Sequence, residues 1–372
     1  MREISIKSIS IENFRCFKNI EVENFGHINL IVGKSSVGKT NLLEAIHLYC
    51  SNMNIVELSS ILNNRQEIKN TRDVEMIISS IFYGRPELEE LISNKEVIIR
   101  DKNHSVSLNL KEFDGLNIPS EAVEPFKALA YHHKEFQDYI NRLSLEKELR
   151  LVINNYHNKQ QDYLLNIFNP NKISDLLNGT QYKSQDFIYK SGFVKTNLYL
   201  SNLTNLWDTI IINDLESKVT NCLKIINSNI ERIAIVGEGV GKHFIIKHKN
   251  FPKLIPLSSL GEGVSRILCI LLHIINHQNG VLLIDEFENG LHYEIQYEVW
   301  QMLFKLAQEL NVQVFATTHS FDCIKAFTQV ANEDKEQSGV LIRLEQKEDK
   351  IVPVHFSEEE LEIITRRDVE VR

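Results

Sequence analysis

The stretch Ile31-Val32-Gly33-Lys34-Ser35-Ser36-Val37-Gly38-Lys39-Thr40 constrains the fold of this chain more than any other segment. It satisfies G-x-x-x-x-G-K-[S/T] through Gly33, Gly38, Lys39 and Thr40, and it closes the apolar run Ile28, Leu30, Ile31 and Val32. In a strand, loop and helix of this kind, glycines let successive backbone N–H groups turn toward phosphate oxygens. The helix N-terminus adds a positive dipole. Lys39 then reaches the β and γ phosphates and the Thr40 hydroxyl ligates Mg²⁺. Leu42, Leu43, Ile46 and Cys50 recur at helical spacing after the loop, as this setting requires. The bland alternative is a Gly/Ser turn at a strand end with Lys39 solvated.

A second motif weakens that alternative. In Gly280-Val-Leu-Leu-Ile-Asp-Glu-Phe-Glu-Asn-Gly-Leu-His292, the aliphatic residues Val281 to Ile284 predict a buried parallel strand. Asp285 and Glu286 follow at its C-terminal end, where open α/β sheets place their ligands. Asp285 is suited to the Mg²⁺ shell, and Glu286 to polarising a water in line with the γ phosphate.

Two further segments are consistent with a phosphate site. Ser259, Gly261, Glu262 and Gly263 precede Ile267, Leu268, Ile270, Leu271 and Ile274, so a small polar loop feeds an apolar helix. Such an N-terminus attracts anions; taken alone it reads as a helix cap supplied by Ser258 or Ser259. The run Val312 to Ala316 predicts another buried strand, and Thr317, Thr318 and His319 follow it. His319 would emerge at the same sheet edge as the phosphates.

The rest of the chain sets limits. The 50 acidic and 41 basic residues leave a net charge of -9, so no global cationic field recruits nucleic acid. Cys16, Cys50, Cys222, Cys269 and Cys323 are odd in number and lack C-x-x-C spacing, which argues against disulfides or a zinc site. No leader and no membrane-length apolar run is present, so a cytoplasmic location is expected and no membrane partner. The opening residues alternate apolar and polar as an antiparallel β region would. Residues 85 to 225 turn charged and Asn-rich, with expected helices at 122 to 152 and 204 to 228, and read as a mostly helical insertion. Residues 230 to 250 read as a hairpin, and Lys242, Lys247, Lys249 and Lys253 near it read better as a solvated face than as a nucleic-acid surface. Adjacent His132 and His133 point apart on a helix, and His273 and His277, though four apart, lie in a core-like run; no metal is assigned to either pair.

Taken in order, the four elements resemble the ABC-type ATPases of the RecF, SMC and OLD-like branch. Gly33 to Thr40 is similar to the Walker A of that family, Ser259-Leu260-Gly261-Glu262 to its signature loop, Ile284-Asp285-Glu286 to its Walker B, and Thr318-His319-Ser320 to its switch histidine. Glu288 to His292 resembles its D-loop, Asn13-Phe14-Arg15 its opening, and Ile364-Thr365-Arg366-Arg367 onward the end of standalone OLD-like ATPases. The family often has Asn where Ser35 or Ser36 stands, and its Q-loop glutamine has no counterpart here better than Gln66, which stays outside the site. The 53 residues after His319 leave no room for the Toprim nuclease of OLD proteins.

The resemblance implies an α/β P-loop head of mixed sheet flanked by helices, its halves at 1–85 and 228–372 and the helical insertion at 86–227. ATP and Mg²⁺ are the implied cofactors. Gly33, Lys34, Ser35, Ser36, Val37, Gly38, Lys39, Thr40 and Asn41 would hold nucleotide, joined by Ser259, Gly261 and Glu262 from a second copy; Thr40 and Asp285 would hold the metal; Glu286, His319 and Lys39 would be catalytic. The expected assembly is a homodimer or higher oligomer glued by ATP and opened by hydrolysis. It would act on DNA or on a separately encoded nuclease or other effector, in phage defence or DNA repair. The competing expectation is a slow, ATP-gated scaffold that restrains such an effector. A transporter subunit is disfavoured by the Asn-Phe-Arg opening and the signature Ser-Leu-Gly-Glu-Gly.

Overall fold

The computed structural model describes residues 5–68, 74–93, 95–113, 148–157, 159–164, 186–196, 203–237, 242–333 and 339–356, with 360 and 363. Antiparallel strands β1 (Ile9–Phe14) and β2 (Phe17–Val22) form first, and β3 (Ile28–Val32) leads through the glycine loop into α1 (Lys39–Cys50). Helices α2 (Ile55–Asn64), α3 (Val74–Ser79) and α4 (Leu88–Ile92) precede strands β4 (Glu96–Arg100), β5 (Ser105–Phe113), β6 (Glu148–Asn154), β7 (Gln160–Leu164) and β8 (Ser191–Val194). Then come α5 (Thr204–Ile212), α6 (Glu216–Leu223), β9 (Ile230–Val236), β10 (His243–His248), β11 (Ile255–Pro256), a 3₁₀ turn (Leu257–Leu260) and α7 (Glu262–Asn276). The chain continues through β12 (Val281–Ile284), α8 (Gln296–Leu310), β13 (Gln313–Thr317), α9 (Phe321–Glu333), β14 (Gly339–Lys347) and β15 (Lys350–His355).

The central sheet has the order β15-β14-β3-β13-β12-β8, with β14, β3, β13, β12 and β8 parallel to one another and β15 antiparallel at one edge. Its interior strands are buried on both faces, which is why they read as continuous aliphatic runs. The period of two still sorts them. Ile28, Leu30, Val32, Leu282, Ile284, Val314 and Ala316 join the core under α7, α8 and α9, whereas Ile31, Val281, Leu283 and Phe315 join the core under α1 and the second sheet. Because β3, β12 and β13 run parallel, their C-terminal ends, and the loops that follow, share one edge.

The second sheet, β2-β1-β4-β5-β6-β7, is antiparallel and covers the α1 face. It corrects one expectation. Residues 86–227 are not mostly helical where they are described: four of their strands, β4 to β7, extend the sheet begun by β1, and a fifth, β8, forms the edge of the central sheet beside β12. The helix expected at 122 to 152 ends on strand β6, and its earlier part lies outside the described residues, as do His132 and His133. The helix expected at 204 to 228 is α5 and α6. The expected hairpin is β9 and β10, closed into a third sheet by β11. Among the described residues no helix is long and apolar enough to cross a membrane.

Candidate functional site

The loop between β3 and α1 is built by its glycines. Gly33 has φ +142° and a Cβ there would stand 2.5 Å from the Leu344 carbonyl oxygen; Gly38 has φ +95° and a Cβ there would stand 2.5 Å from Cys16 Sγ. Both positions need a residue free of side-chain clash at positive φ. Ser36 also adopts φ 63°. Lys34, Ser35 and Ser36 are exposed on the crest of the loop. Val37 is buried, and its side chain packs beneath Gly33.

Lys39 turns back under the loop. Its ammonium donates to the carbonyls of Gly33 (2.7 Å) and Lys34 (3.1 Å) and lies 3.3 Å from His319 Nδ1. Burial pulls its pKa down to about 8 against the opposing pull of Asp285, Glu288 and Glu286. Those three carboxylates and Lys39 therefore form one electrostatic cluster.

Thr40 and Asp285 meet although 245 positions apart: Thr40 Oγ1 donates to Asp285 Oδ1 at 3.0 Å. The donor set offered there, one hydroxyl and one carboxylate, is all oxygen, which suits a hard divalent cation. Asp285 is 8% exposed and sits just beyond β12, as the strand-then-carboxylate pattern predicts. Glu286 follows with φ 50°, a left-handed backbone that is costly for a residue with a side chain.

Side chains outside the expected site residues hold this turn. The Thr317 hydroxyl, at the end of β13, donates to Asp285 Oδ1 (2.7 Å) and accepts from Glu286 N (2.9 Å). Glu288 accepts from Thr318 Oγ1 (2.7 Å) and from His319 N (2.8 Å), tying the loop after β12 to the loop after β13. Phe287, fully buried, stacks on Trp300 of α8 with centroids 3.8 Å apart and planes 10° apart. Arg266 of α7 is 1% exposed and donates to the carbonyls of Lys195, Asp285 and Glu286. An arginine inside an otherwise apolar helical run was the available sequence signal for the last of these.

The β1–β2 turn reaches the same region. Arg15 Nε lies 2.9 Å from Glu44 Oε2 on α1, and Arg65 Nε lies 2.6 Å from Glu44 Oε1. Arg65 also donates to Asn41 Oδ1 at 2.5 Å, while Asn41 Nδ2 contacts Cys16 Sγ at 2.9 Å. Asn41 is thus engaged with its own chain from both ends of its amide.

Ser259, Gly261 and Glu262 are exposed at the start of α7, and no hydrogen bond joins them to residues 33–41 among the described residues. The cap expected from Ser258 or Ser259 is absent: both lie in the 3₁₀ turn, and the residue that precedes α7 is Gly261 (φ 92°), so no side chain caps the first N–H groups of the helix. Gly263 packs so closely that a Cβ would stand 2.7 Å from the Gly290 carbonyl, so the signature segment rests on the Glu288 to His292 loop. His273 and His277 stack with centroids 5.7 Å apart against Gly192 of β8, and no group of three metal-ligating side chains occurs among the described residues.

Comparison with known proteins agrees with this geometry. Residues 28–322 match the AAA_21 family model, described as "AAA domain, putative AbiEii toxin, Type IV TA system". An ATP/GTP phosphatase of Helicobacter pylori is 25% identical over 96% of this chain and 97% of its own. The DNA replication and repair protein RecF of Clostridioides difficile is 27% identical over 41% of this chain and 40% of its own. An SMC head bound to the C-terminal winged-helix domain of ScpA superposes with a TM-score of 0.50 at 12% identity, over 95% of this chain and 98% of its own, which shows a shared fold. The match to the family model spans most of the chain, and with the phosphate loop, the carboxylate pair and the histidine gathered at one sheet edge, this chain belongs to the AAA_21 family of P-loop ATPases, with a fold shared by SMC heads.

Proposed function

We propose that the protein hydrolyses ATP with Mg²⁺ between two copies of itself, and that closing and opening of the pair drives work on DNA or on an effector protein. One observation carries this: Lys39, Thr40, Asp285, Glu286 and His319, drawn from three parallel strands, converge on one edge. The N–H groups of residues 33 to 41 and the Lys39 ammonium would hold the phosphates. Thr40 and Asp285 would hold Mg²⁺, which when bound offsets charge on the β and γ phosphates. The Glu286 carboxylate would take the proton of the attacking water, and His319, 3.3 Å from Lys39 Nζ, would contact the γ phosphate.

The α7 N-terminus supports the two-copy reading. Its exposed Ser259, Gly261 and Glu262 do not meet the chain's own loop, so a second copy can present them to the nucleotide. The head halves 1–85 and 228–372, bridged by 86–227, would then close as a unit. The RecF relatives support DNA as the target, the H. pylori relative supports nucleotide hydrolysis, and the SMC head seated on ScpA supports a protein partner. The toxin-antitoxin wording of the family description supports a role in phage defence as much as in repair.

The test is ATP turnover by the purified protein with and without duplex DNA, with light scattering of Glu286→Gln in ATP. Stimulation by DNA together with ATP-driven dimerisation supports the motor. Slow, DNA-insensitive turnover within a stable oligomer favours the ATP-gated scaffold. A Glu286→Gln protein that hydrolyses ATP at the parent rate overturns the assignment of the base.

A further inference from the structure

Among the described residues, Arg266 is the largest fully buried charged side chain. It is 1% exposed, it stands four residues after Glu262, and its guanidinium faces the C-terminal edge of the central sheet. Nη2 donates to the carbonyl oxygens of Asp285 (2.5 Å) and Glu286 (3.0 Å), and Nη1 donates to the carbonyl of Lys195 at the end of β8 (2.6 Å). All three acceptors are main-chain oxygens at strand ends, and two belong to the carboxylate pair.

Simple packing does not call for this arrangement. A charged group inside a core costs free energy unless hydrogen bonds compensate it, and an apolar residue would fill the same space without that cost. Burial lowers the pKa of Arg266, yet a guanidinium keeps its charge and offers five donors in a rigid plane. That fork spans neighbouring carbonyls as a flexible ammonium cannot.

Glu286 is where this matters. Its φ of 50° is sparsely populated by residues with a side chain, so the conformation persists only if its surroundings hold it. Thr317 holds the N–H of Glu286 and Arg266 holds its carbonyl, on either side of one Cα. Gly261 and Glu262, the exposed start of α7, lie one helical turn from Arg266 on the same rigid helix.

We propose that Arg266 is a positioning residue that fastens the Asp285–Glu286 turn to the signature helix, so that nucleotide captured by residues 259 to 262 sets the aim of that same chain's Glu286. The proposal rests on the two-copy reading above for the source of that nucleotide. It makes hydrolysis in one site responsive to occupation of the other.

The experiment compares the parent with Arg266→Ala and Arg266→Lys, reading equilibrium binding of a fluorescent ATP analogue, kcat, KM and the melting midpoint. The same two changes placed over Glu286→Gln are read by light scattering in ATP. Arg266→Ala should lower kcat about 100-fold, the scale expected when a catalytic group is misaimed by about an ångström, with analogue affinity and KM within about threefold of the parent. Added methylguanidine should restore part of the Arg266→Ala rate, and Arg266→Lys should fall between the two. Two outcomes overturn the proposal: a kcat for Arg266→Ala within about threefold of the parent, or a parallel loss of binding, kcat and melting that methylguanidine does not relieve, which marks a purely structural arginine. Failure of the two-copy reading appears separately, as a Glu286→Gln protein with Arg266 intact that stays monomeric in ATP; that result removes the coupling between sites, whereas the positioning of Glu286 is decided by the kcat and rescue data alone.

Discussion

The Thr317 hydroxyl donates to Asp285 Oδ1 at 2.7 Å while accepting from Glu286 N at 2.9 Å. One side chain at the end of β13 therefore orients both the Asp285 carboxylate, proposed to hold the metal, and the backbone of Glu286, the proposed base, at the end of β12. Thr317→Val keeps the shape and removes both bonds. It should lower kcat about 10- to 100-fold and raise the Mg²⁺ concentration needed for half-maximal rate, in keeping with losses seen when a partner that orients a metal ligand is removed. Thr317→Ser should recover most of the rate. A Thr317→Val enzyme with unchanged kcat and Mg²⁺ dependence argues that the hydroxyl only fills space.

Lys39 gives the proposed nucleotide site a pH dependence. With its pKa lowered to about 8 by burial, the lysine loses its charge as pH rises through 8, whereas a solvated lysine would keep it past pH 10. Phosphate binds the charged form, so ATP affinity of the nucleotide-free protein should be flat below pH 7.5 and weaken above 8. Isothermal titration between pH 6.5 and 9.5 checks this. Lys39→Ala should show no measurable binding at any pH, and parent affinity that stays constant to pH 9.5 contradicts the proposed role of the ammonium.

His273 links stability to acid. Burial pushes its pKa down to about 3, with the neighbouring His277 and His47 adding to the effect, and its Nδ1 has no hydrogen-bond partner among the described residues. The unfolded chain takes up the proton near pH 6.5 and the folded chain does not, so the neutral ring favours folding above that pH and the advantage is lost as pH falls from 6.5 toward 3. One such group gives a slope of about 1.4 kcal/mol per pH unit within that window. Urea unfolding from pH 4 to 8 should show a steeper acid loss for the parent than for His273→Leu. Equal slopes would place the acid sensitivity elsewhere.

Phe287 anchors the turn from below through its stacking on Trp300. Phe287→Ala should destabilise the fold by about 3–5 kcal/mol, the usual cost of truncating a buried aromatic. Activity per folded molecule should also fall, because Glu286 and Glu288 flank the residue. Phe287→Leu should recover much of the stability. A loss below about 1 kcal/mol for Phe287→Ala would mean that the turn is held by its hydrogen bonds alone.

The sequence by itself determined the parts whose structure is local. Glycines at 33 and 38 fix the loop because a side chain at either position would clash at the positive φ it adopts, and the aliphatic runs of β3, β12 and β13 declare parallel strands because both of their faces are buried. With these parts in order, the mixed sheet flanked by helices was legible. Composition misled where one face of a strand is solvated: Ser105 to Phe113 is half polar because it lies in an antiparallel sheet, not because it is a helix. The four residues of β8 are too few to carry any period, and only pairing with Leu282 and its neighbours makes them a strand. Nor could spacing reveal that Thr317, Arg266 and Glu288 hold the Asp285–Glu286 turn, since those bonds join residues 19 to 32 positions apart, and most of them end on a main-chain atom that every residue possesses. Local sterics and hydrophobic period write the elements into the sequence; the convergence of their ends is settled only when the sheet assembles.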